Sequence, residues 1–172
     1  MKMQVAILTF DGFNELDSFI AAGILNRIKP KGWNAYITCP SETVTSMNGV
    51  TIHAEKPLEF AAQADAVIVG SGIKTREIAK DADLLGRLNL DPSRQLIGAQ
   101  CSGTLLLSKM GLLGDCPACT DLTTKPWVIE ARSIWQPGSF SVALRARMPK
   151  PPCTTSRQSG RNPNTLSAHC RA

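Results

Sequence analysis

Three short apolar runs, each separated from the next by helical stretches, constrain the fold of this chain most. QVAILTF (4–10), AVIVG (66–70) and QLIGAQ (95–100) are typical of strands buried on both faces of a sheet. Apolar residues recur at helical spacing over 16–28, and a second helical stretch covers 73–90 with a break predicted near Asp81. This alternation predicts an α/β sandwich with a mainly parallel sheet.

The remaining elements are predicted from local signals. Asn48-Gly49 lies between two β-branched runs, which is a strong hairpin signal for residues 43–54. Further predictions are a strand at 33–40, a short helix at 57–64, a helix at 102–113 that ends near Gly111 or Gly114, and a helix within 123–131 with Thr123 or Thr124 as N-cap.

Length and composition predict one globular domain with its own core. The chain has 172 residues, of which 43% are hydrophobic, and no window approaches the apolar length of a transmembrane helix. The N-terminal MKMQVAILTFDGF is interpreted as a strand that ends in a turn, not as a signal peptide. We therefore expect a cytoplasmic protein.

The charge distribution separates a body from a tail. Residues 1–131 carry 12 Lys/Arg and 14 Asp/Glu, whereas residues 132–172 carry the other seven basic residues and no acid. The tail is also rich in Pro and Ser, so we predict an α/β domain at 1–131 and a poorly ordered basic segment at 132–172. A domain of this pattern needs a further strand and a closing helix, which the tail does not show. A truncated or frame-shifted reading would explain their absence.

Several other functions are disfavoured by the sequence. The tail has no dense Lys/Arg run, and the Gly-Ser-Gly loop after 66–70 lacks the spacing of a phosphate-binding loop. The C-x-x-C at 116–119 follows a helix, and the candidates for the two further zinc ligands, Cys153, His169 and Cys170, lie in the tail that is predicted to be poorly ordered. Coincidence is therefore favoured over redox or metal chemistry. We predict a small-molecule substrate, with no nucleic acid, membrane, metal or cofactor, and leave a homodimer open.

Cys101 is the candidate nucleophile because it lies where the third strand turns into a helix. Unpaired N–H groups at the start of that helix predict a lowered thiol pKa, and Gly103 permits a tight turn. The C-S-G pattern resembles a nucleophile elbow, although Ala99 stands where that motif has its first Gly. The alternative from spacing alone is a buried, inert cysteine.

Two other loops should share the edge of the sheet with Cys101. The Gly-Ser-Gly loop offers backbone N–H groups near Gly70 and Gly72 for an oxyanion hole. Glu15 and Asp17 are candidate acids. Glu15 is interpreted as an acid that places its negative charge at a helix N-terminus. A desolvated Asp17 beside the thiol could instead stay protonated and exchange a proton with substrate.

These segments together resemble a known family. AILTFDGFNELD, AVIVGSG, IGAQCSGTLLLSKMGLL and TDLTTKPW, spread over residues 4 to about 131, are similar to the ThiJ/PfpI superfamily. The resemblance implies a flavodoxin-like three-layer sandwich of the class I glutamine amidotransferase type, with its C-terminal elements missing here. The isonitrile hydratase-like branch looks most similar, since its first-loop acid is an Asp.

The resemblance also implies roles for individual residues. Asp17 would be the acid, Cys101 the elbow nucleophile, and Gly72 and the Ser102 backbone the oxyanion donors. Many relatives carry a His in a TTHW-like stretch, and here we match that stretch to TTKPW, with Lys125 in the place of the His. The two histidines of the chain, His53 and His169, lie in the predicted hairpin and the tail, so we expect no Cys-His dyad.

The resulting hypothesis is a cysteine-dependent hydration of an isonitrile to an N-substituted formamide, driven by Cys101 and Asp17. Three alternatives stay open. The same cysteine could act on small dicarbonyls in a glyoxalase- or deglycase-like reaction, serve as a non-catalytic redox sensor, or belong to an inactive, truncated family member.

Overall fold

The computed structural model describes residues 2–113 and 116–131, together with the backbone of Ile134–Trp135. Within these residues no helix has the length and apolar character needed to cross a bilayer. The prediction of a poorly ordered tail at 132–172 lies outside the described residues, apart from that two-residue strand.

The elements alternate along the chain as the apolar pattern predicts. The strands are β1 (Met3–Leu8), β2 (Trp33–Cys39), β3 (Thr43–Thr45), β4 (Thr51–His53), β5 (Lys56–Pro57), β6 (Ala66–Val69), β7 (Leu96–Ala99), β8 (Pro117–Ala118) and β9 (Ile134–Trp135). The α-helices are α1 (Glu15–Asn26), α2 (Thr75–Ile78), α3 (Ala82–Gly86), α4 (Thr104–Lys109) and α5 (Lys125–Glu130). Short 3-10 turns occupy Lys29–Lys31, Leu58–Gln63 and Cys101–Gly103.

The central sheet is parallel, which confirms the predicted fold class. Its five strands lie in the order β5-β2-β1-β6-β7, and each neighbouring pair is parallel. The chain runs from β1 to β2 on one side and later crosses to β6 on the other. A crevice therefore opens between the loops that follow β1 and β6, where ligands bind in open α/β sheets.

Helices and turns cover both faces of the sheet. Val5 and Ile7 of β1 belong to a core cluster that packs against α1, whereas Ala6 and Leu8 belong to a second cluster that contains α4 residues. Side chains alternate between the faces of a strand, so each apolar strand contributes to both cores. This arrangement explains why the strand sequences are apolar throughout instead of alternating.

Several boundaries differ from the predictions. Residues 58–63 form a 3-10 turn instead of the predicted helix. By contrast, the predicted break near Asp81 is confirmed, because the Asp81 side chain accepts a hydrogen bond from the Leu84 N–H at 2.8 Å and caps the start of α3. The helix predicted over 102–113 ends at Lys109, and the chain then turns through Gly111 with φ +68°.

The apolar stripe of α1 lies on the outside of the protein. Leu16, Ile20 and Ile24 recur at helical spacing as predicted, but they are 66%, 52% and 57% exposed. Ser18 is buried instead, and its hydroxyl shares a 2.9 Å hydrogen bond with that of Thr9. The helix is correctly predicted. The face that packs on the sheet, however, includes the small residues Ser18, Ala21 and Ala22 in place of the apolar stripe.

Close packing behind Cys101 depends on a glycine. A β-carbon at Gly103 would lie 2.6 Å from the carbonyl oxygens of both Val69 and Gly70. These oxygens belong to the end of β6 and the loop after it, so they cannot move aside without disturbing the sheet. Gly103 therefore allows the start of the helix to rest directly on the neighbouring strand.

We expect Gly103→Ala to lower the free energy of unfolding by about 1–3 kcal/mol, because the new methyl group overlaps main-chain atoms. The measurement is urea unfolding followed by circular dichroism. Gly23→Ala is the matched control, since a β-carbon added at Gly23 in α1 would have no neighbouring atom within 4 Å outside the helix's own backbone. That change should stabilise the protein by about 0.5–1 kcal/mol. Equal stability of the two variants would refute the packing argument.

Candidate active site

Cys101 lies at a sharp corner between β7 and α4. Its φ of +46° falls in the left-handed region, which non-glycine residues seldom adopt. The 3-10 turn Cys101–Gly103 follows at once and leads into α4. Because the chain reverses direction at this residue, its side chain points away from the core, and Cys101 is exposed.

A segment from far along the chain brings a carboxylate to the sulfur. The Thr120 hydroxyl donates to the Cys101 carbonyl at 3.0 Å, and the Thr104 hydroxyl donates to the Cys119 carbonyl at 2.8 Å. These bonds hold residues 119–121 alongside the corner. The Cys101 thiol consequently donates to Oδ2 of Asp121 at 3.5 Å, a distance within hydrogen-bond range for sulfur.

Asp121 is held ionised by its neighbours. Partial burial by itself would raise the pKa of its carboxyl group. Hydrogen bonds from the Thr124 side chain, the N–H groups of Thr124 and Thr123, and the Cys101 thiol outweigh that burial and hold the pKa below its ordinary value. The Thr124 N–H lies 2.9 Å from Oδ1, so one carboxylate oxygen is fixed by α5 while the other faces the thiol.

The pKa of the Cys101 thiol is raised, and the predicted lowering is wrong. Although the residue is exposed, partial desolvation of its sulfur by neighbouring atoms is the largest cause, followed by the negative charge of Asp121. The Ser102 backbone N–H lowers the pKa, but the hydrogen bond to Asp121 and the charge of Asp17 raise it further. The prediction considered only the helix N-terminus, and two carboxylates together with desolvation outweigh it.

Asp17 is linked to the site by a hydrogen bond with Ser71. Its carboxylate accepts a hydrogen bond from the Ser71 hydroxyl, which lies in the Gly-Ser-Gly loop and lines the pocket. Asp17 therefore acts on Cys101 through its charge, whereas Asp121 touches the thiol. Glu15 accepts hydrogen bonds from Ser46 and Asn48 instead, and so joins α1 to the β3–β4 hairpin.

The predicted oxyanion residues occupy distinct positions. The Gly72 N–H donates to the Ser102 hydroxyl at 3.3 Å, and that hydroxyl shares a 2.9 Å hydrogen bond with Thr75. The Ser102 backbone N–H interacts with the Cys101 thiol and lowers its pKa. Gly70 packs against β1, where an added β-carbon would lie 2.8 Å from the Leu8 carbonyl oxygen.

A pocket of about 560 Å³ opens over these groups. It has Cys101 and Asp121 on one side and residues of the β6–α2 loop and of α2 on another. Its remaining walls include exposed apolar side chains that would contact a substrate. The lining residues are Asn14, Met47, Ser71, Gly72, Ile73, Thr75, Arg76, Glu77, Cys101, Ser102, Asp121, Thr123 and Thr124.

The sequence pattern does not single out Asp121, and the family resemblance instead matches Lys125 to the His of many relatives. The structure places Lys125 at the start of α5 and Asp121, four positions earlier, against the thiol. The Thr124 side chain makes no capping hydrogen bond, and Asp121 accepts from the Thr124 N–H instead. An Asp three residues before the N-cap residue Thr124 is the signal that the sequence offers.

The fold and the site define the class of this protein: a parallel α/β domain with an elbow cysteine at the carboxyl ends of its strands. The DJ-1/PfpI family model matches residues 3–140. The chain therefore belongs to the DJ-1/PfpI family, and the predicted superfamily is confirmed. A comparison with curated proteins finds no match.

Solved structures share the same fold. A ThiJ/PfpI family protein from Pseudomonas syringae has a TM-score of 0.69 at 22% identity, over 80% of this chain and 58% of that one. Drosophila melanogaster DJ-1beta has a TM-score of 0.69 at 20% identity, over 81% and 76%. Schizosaccharomyces pombe DJ-1 has a TM-score of 0.65 at 17% identity, over 78% and 76%. The chain thus spans 58% of the length of the Pseudomonas protein.

Asp121→Asn should shift the pH dependence of Cys101 alkylation to lower pH. The amide keeps the shape of the carboxylate but removes the charge that raises the thiol pKa. The measurement is the rate of iodoacetamide modification of the Cys101 peptide between pH 6 and pH 10, followed by mass spectrometry. The matched control is Asp83→Asn, at an exposed position in the first turn of α3. A profile unchanged by Asp121→Asn would contradict the assigned electrostatics.

Buried Cys39 provides an internal standard in the same samples. Its pKa is raised to about 11 by burial and by the charge of Glu55, and it is 1% exposed. It should therefore stay unmodified below pH 9 while Cys101 reacts.

Proposed function

We propose that this protein hydrates a small isonitrile to an N-substituted formamide, with Cys101 as nucleophile and Asp121 as the group that moves its proton. The observation that carries the proposal is the 3.5 Å hydrogen bond from the Cys101 thiol to the Asp121 carboxylate, in a setting that raises the thiol pKa and lowers the carboxyl pKa. Such a pair supplies a nucleophile and a proton at the same place.

An isonitrile needs that combination more than most electrophiles do. Its terminal carbon accepts both the nucleophile and the proton, because it carries a lone pair as well as an empty acceptor orbital. A cysteine that is already a thiolate would bring the sulfur without the proton. The Cys101–Asp121 pair brings both to one atom, which supports an addition reaction over simple thiolate attack.

The reaction balances with water as the second reactant. The sulfur bonds to the terminal carbon of R–N≡C, and Asp121 passes the thiol proton to the same carbon, which gives the thioimidate R–N=CH–S–Cys101. Water then adds to that carbon, and one of its protons goes to nitrogen. The C–S bond breaks as the carbonyl forms, R–NH–CHO leaves, and the second proton returns to the sulfur through Asp121.

The remaining site groups fit supporting roles in this scheme. The Ser102 backbone N–H stabilises negative charge on the sulfur as it leaves. Ser71 links Asp17 to the pocket, so Asp17 adds negative charge that favours protonated intermediates. This assignment moves the proton-transfer role from Asp17, where the family resemblance places it, to Asp121.

A redox-sensing role has weaker support. Sensor cysteines oxidise readily because they are largely thiolate at neutral pH. Desolvation and two carboxylates keep the Cys101 thiol in its protonated form instead.

The test is an assay of formamide production from an aryl isonitrile, in which chromatography measures the product. Cys101→Ala should abolish the reaction. Asp121→Asn should lower kcat by about 100-fold or more, the usual contribution of a general acid–base group. Asp17→Asn should have the smaller effect, because Asp17 does not touch the thiol. Asp83→Asn is the control and should leave the rate unchanged.

A 2-oxoaldehyde should be assayed beside the isonitrile. Full activity of Cys101→Ala on the isonitrile would refute the proposal. Turnover of the 2-oxoaldehyde alone would assign the same cysteine to dicarbonyl chemistry. Failure of the folded wild type to turn over either substrate would favour an inactive family member.

A further inference from the structure

We propose that Arg76 binds a carboxylate group of the substrate, so that the pocket selects small electrophiles that carry one negative charge. This inference rests on the proposed role of Cys101 as nucleophile and adds the substrate class. Arg76 lies in α2 and lines the same pocket as Cys101.

Two contacts hold the Arg76 guanidinium at the edge of the pocket. Its central carbon lies 4.8 Å from the centre of the Trp127 ring, within the range of a cation–π interaction. One terminal nitrogen donates to the Thr123 carbonyl at 3.4 Å. Thr123 and Trp127 follow Asp121 closely in the chain. The segment that brings Asp121 to the thiol therefore also positions the Arg76 guanidinium.

The guanidinium keeps donors available for a ligand. Arginine has five N–H donors, and the Thr123 carbonyl accepts from one nitrogen. Among the described residues, the ion pairs are Lys74–Asp11 and Arg87–Glu59, and neither includes Arg76. An arginine that is stacked on an aromatic ring and lacks an acidic partner is suited to bidentate recognition of a carboxylate.

The other charges in the pocket favour a single negative charge. Asp121 and Glu77 line the pocket with Arg76, and Asp17 lies behind Ser71. These carboxylates oppose a doubly charged phosphate more strongly than a carboxylate. They also direct the ligand, because Asp121 repels an anion from the thiol whereas Arg76 attracts it elsewhere. The electrophilic carbon is then left beside Cys101.

Two alkylating reagents of similar shape test the charge preference without any assumption about turnover. Iodoacetate is anionic and iodoacetamide is neutral, and both modify the Cys101 thiol with loss of iodide. Arg76→Gln should lower the ratio of the iodoacetate rate to the iodoacetamide rate at Cys101 by about tenfold, the value of one lost charge-assisted hydrogen bond. Arg76→Lys should keep most of the ratio, since it retains the charge.

Arg27→Gln is the matched control, because Arg27 is exposed and lies at the C-terminal end of α1, away from the pocket. Its rate ratio should equal that of the wild type. The iodoacetamide rate reports separately on whether Arg76→Gln disturbs the thiol. An unchanged ratio in Arg76→Gln would overturn the proposal.

Benzoate binding, measured by isothermal titration calorimetry, covers the case in which Cys101 does not react. The wild type and Arg27→Gln should bind benzoate at least about tenfold more tightly than Arg76→Gln does. Binding without alkylation would support the carboxylate site and refute the nucleophile. Alkylation with equal benzoate affinity in all variants would refute the carboxylate site alone.

Discussion

The hydrogen bonds that tie residues 119–121 to the corner at Cys101 hold the whole site together. Without the Thr120 and Thr104 hydroxyls, residues 119–121 would lose two of the contacts that bring Asp121 to the thiol. The thiol–carboxylate pair would be weakened, together with the part of the raised thiol pKa that Asp121 causes. The left-handed backbone of Cys101 costs of order 1–3 kcal/mol, and such strain persists only where surrounding contacts over-determine it. Gly103, pressed against the end of β6, is one of those contacts.

The parallel sheet explains why these pieces meet. Strand order reverses between β1 and β6, so the loops after them and the corner after β7 share one edge. The Ser102 and Thr75 hydroxyls join the corner to the β6–α2 loop, and Gly72 approaches Gly12 too closely to admit a β-carbon. The site is therefore assembled from short loops on a rigid base, which suits a reaction that needs a proton and a nucleophile on one atom.

Local patterns predicted the parts of the fold that local physics decides. The buried strands β1, β6 and β7, the Asn48-Gly49 hairpin and the break at Asp81 each follow from residues adjacent in sequence. The orientation of α1 does not, because helical spacing gives the period of an apolar stripe without saying which side meets the sheet. Asp121 lies 20 residues from Cys101 and reaches it through tertiary hydrogen bonds that no local pattern encodes. The sign of the thiol pKa shift was missed for the same reason.

That sign bears directly on the chemistry. A helix N-terminus alone would favour a permanent thiolate, whose natural reactions are oxidation and direct displacement. The Asp121 carboxylate, 3.5 Å from the sulfur, favours the protonated thiol before the reaction. It can then accept the thiol proton when the sulfur bonds to the substrate carbon. Arg76 adds a positive charge to the pocket, since its guanidinium is stacked on Trp127 and the residue lines the same pocket as Cys101. A pocket lined by a carboxylate that contacts the nucleophile and by a guanidinium can orient a substrate by charge before any bond forms.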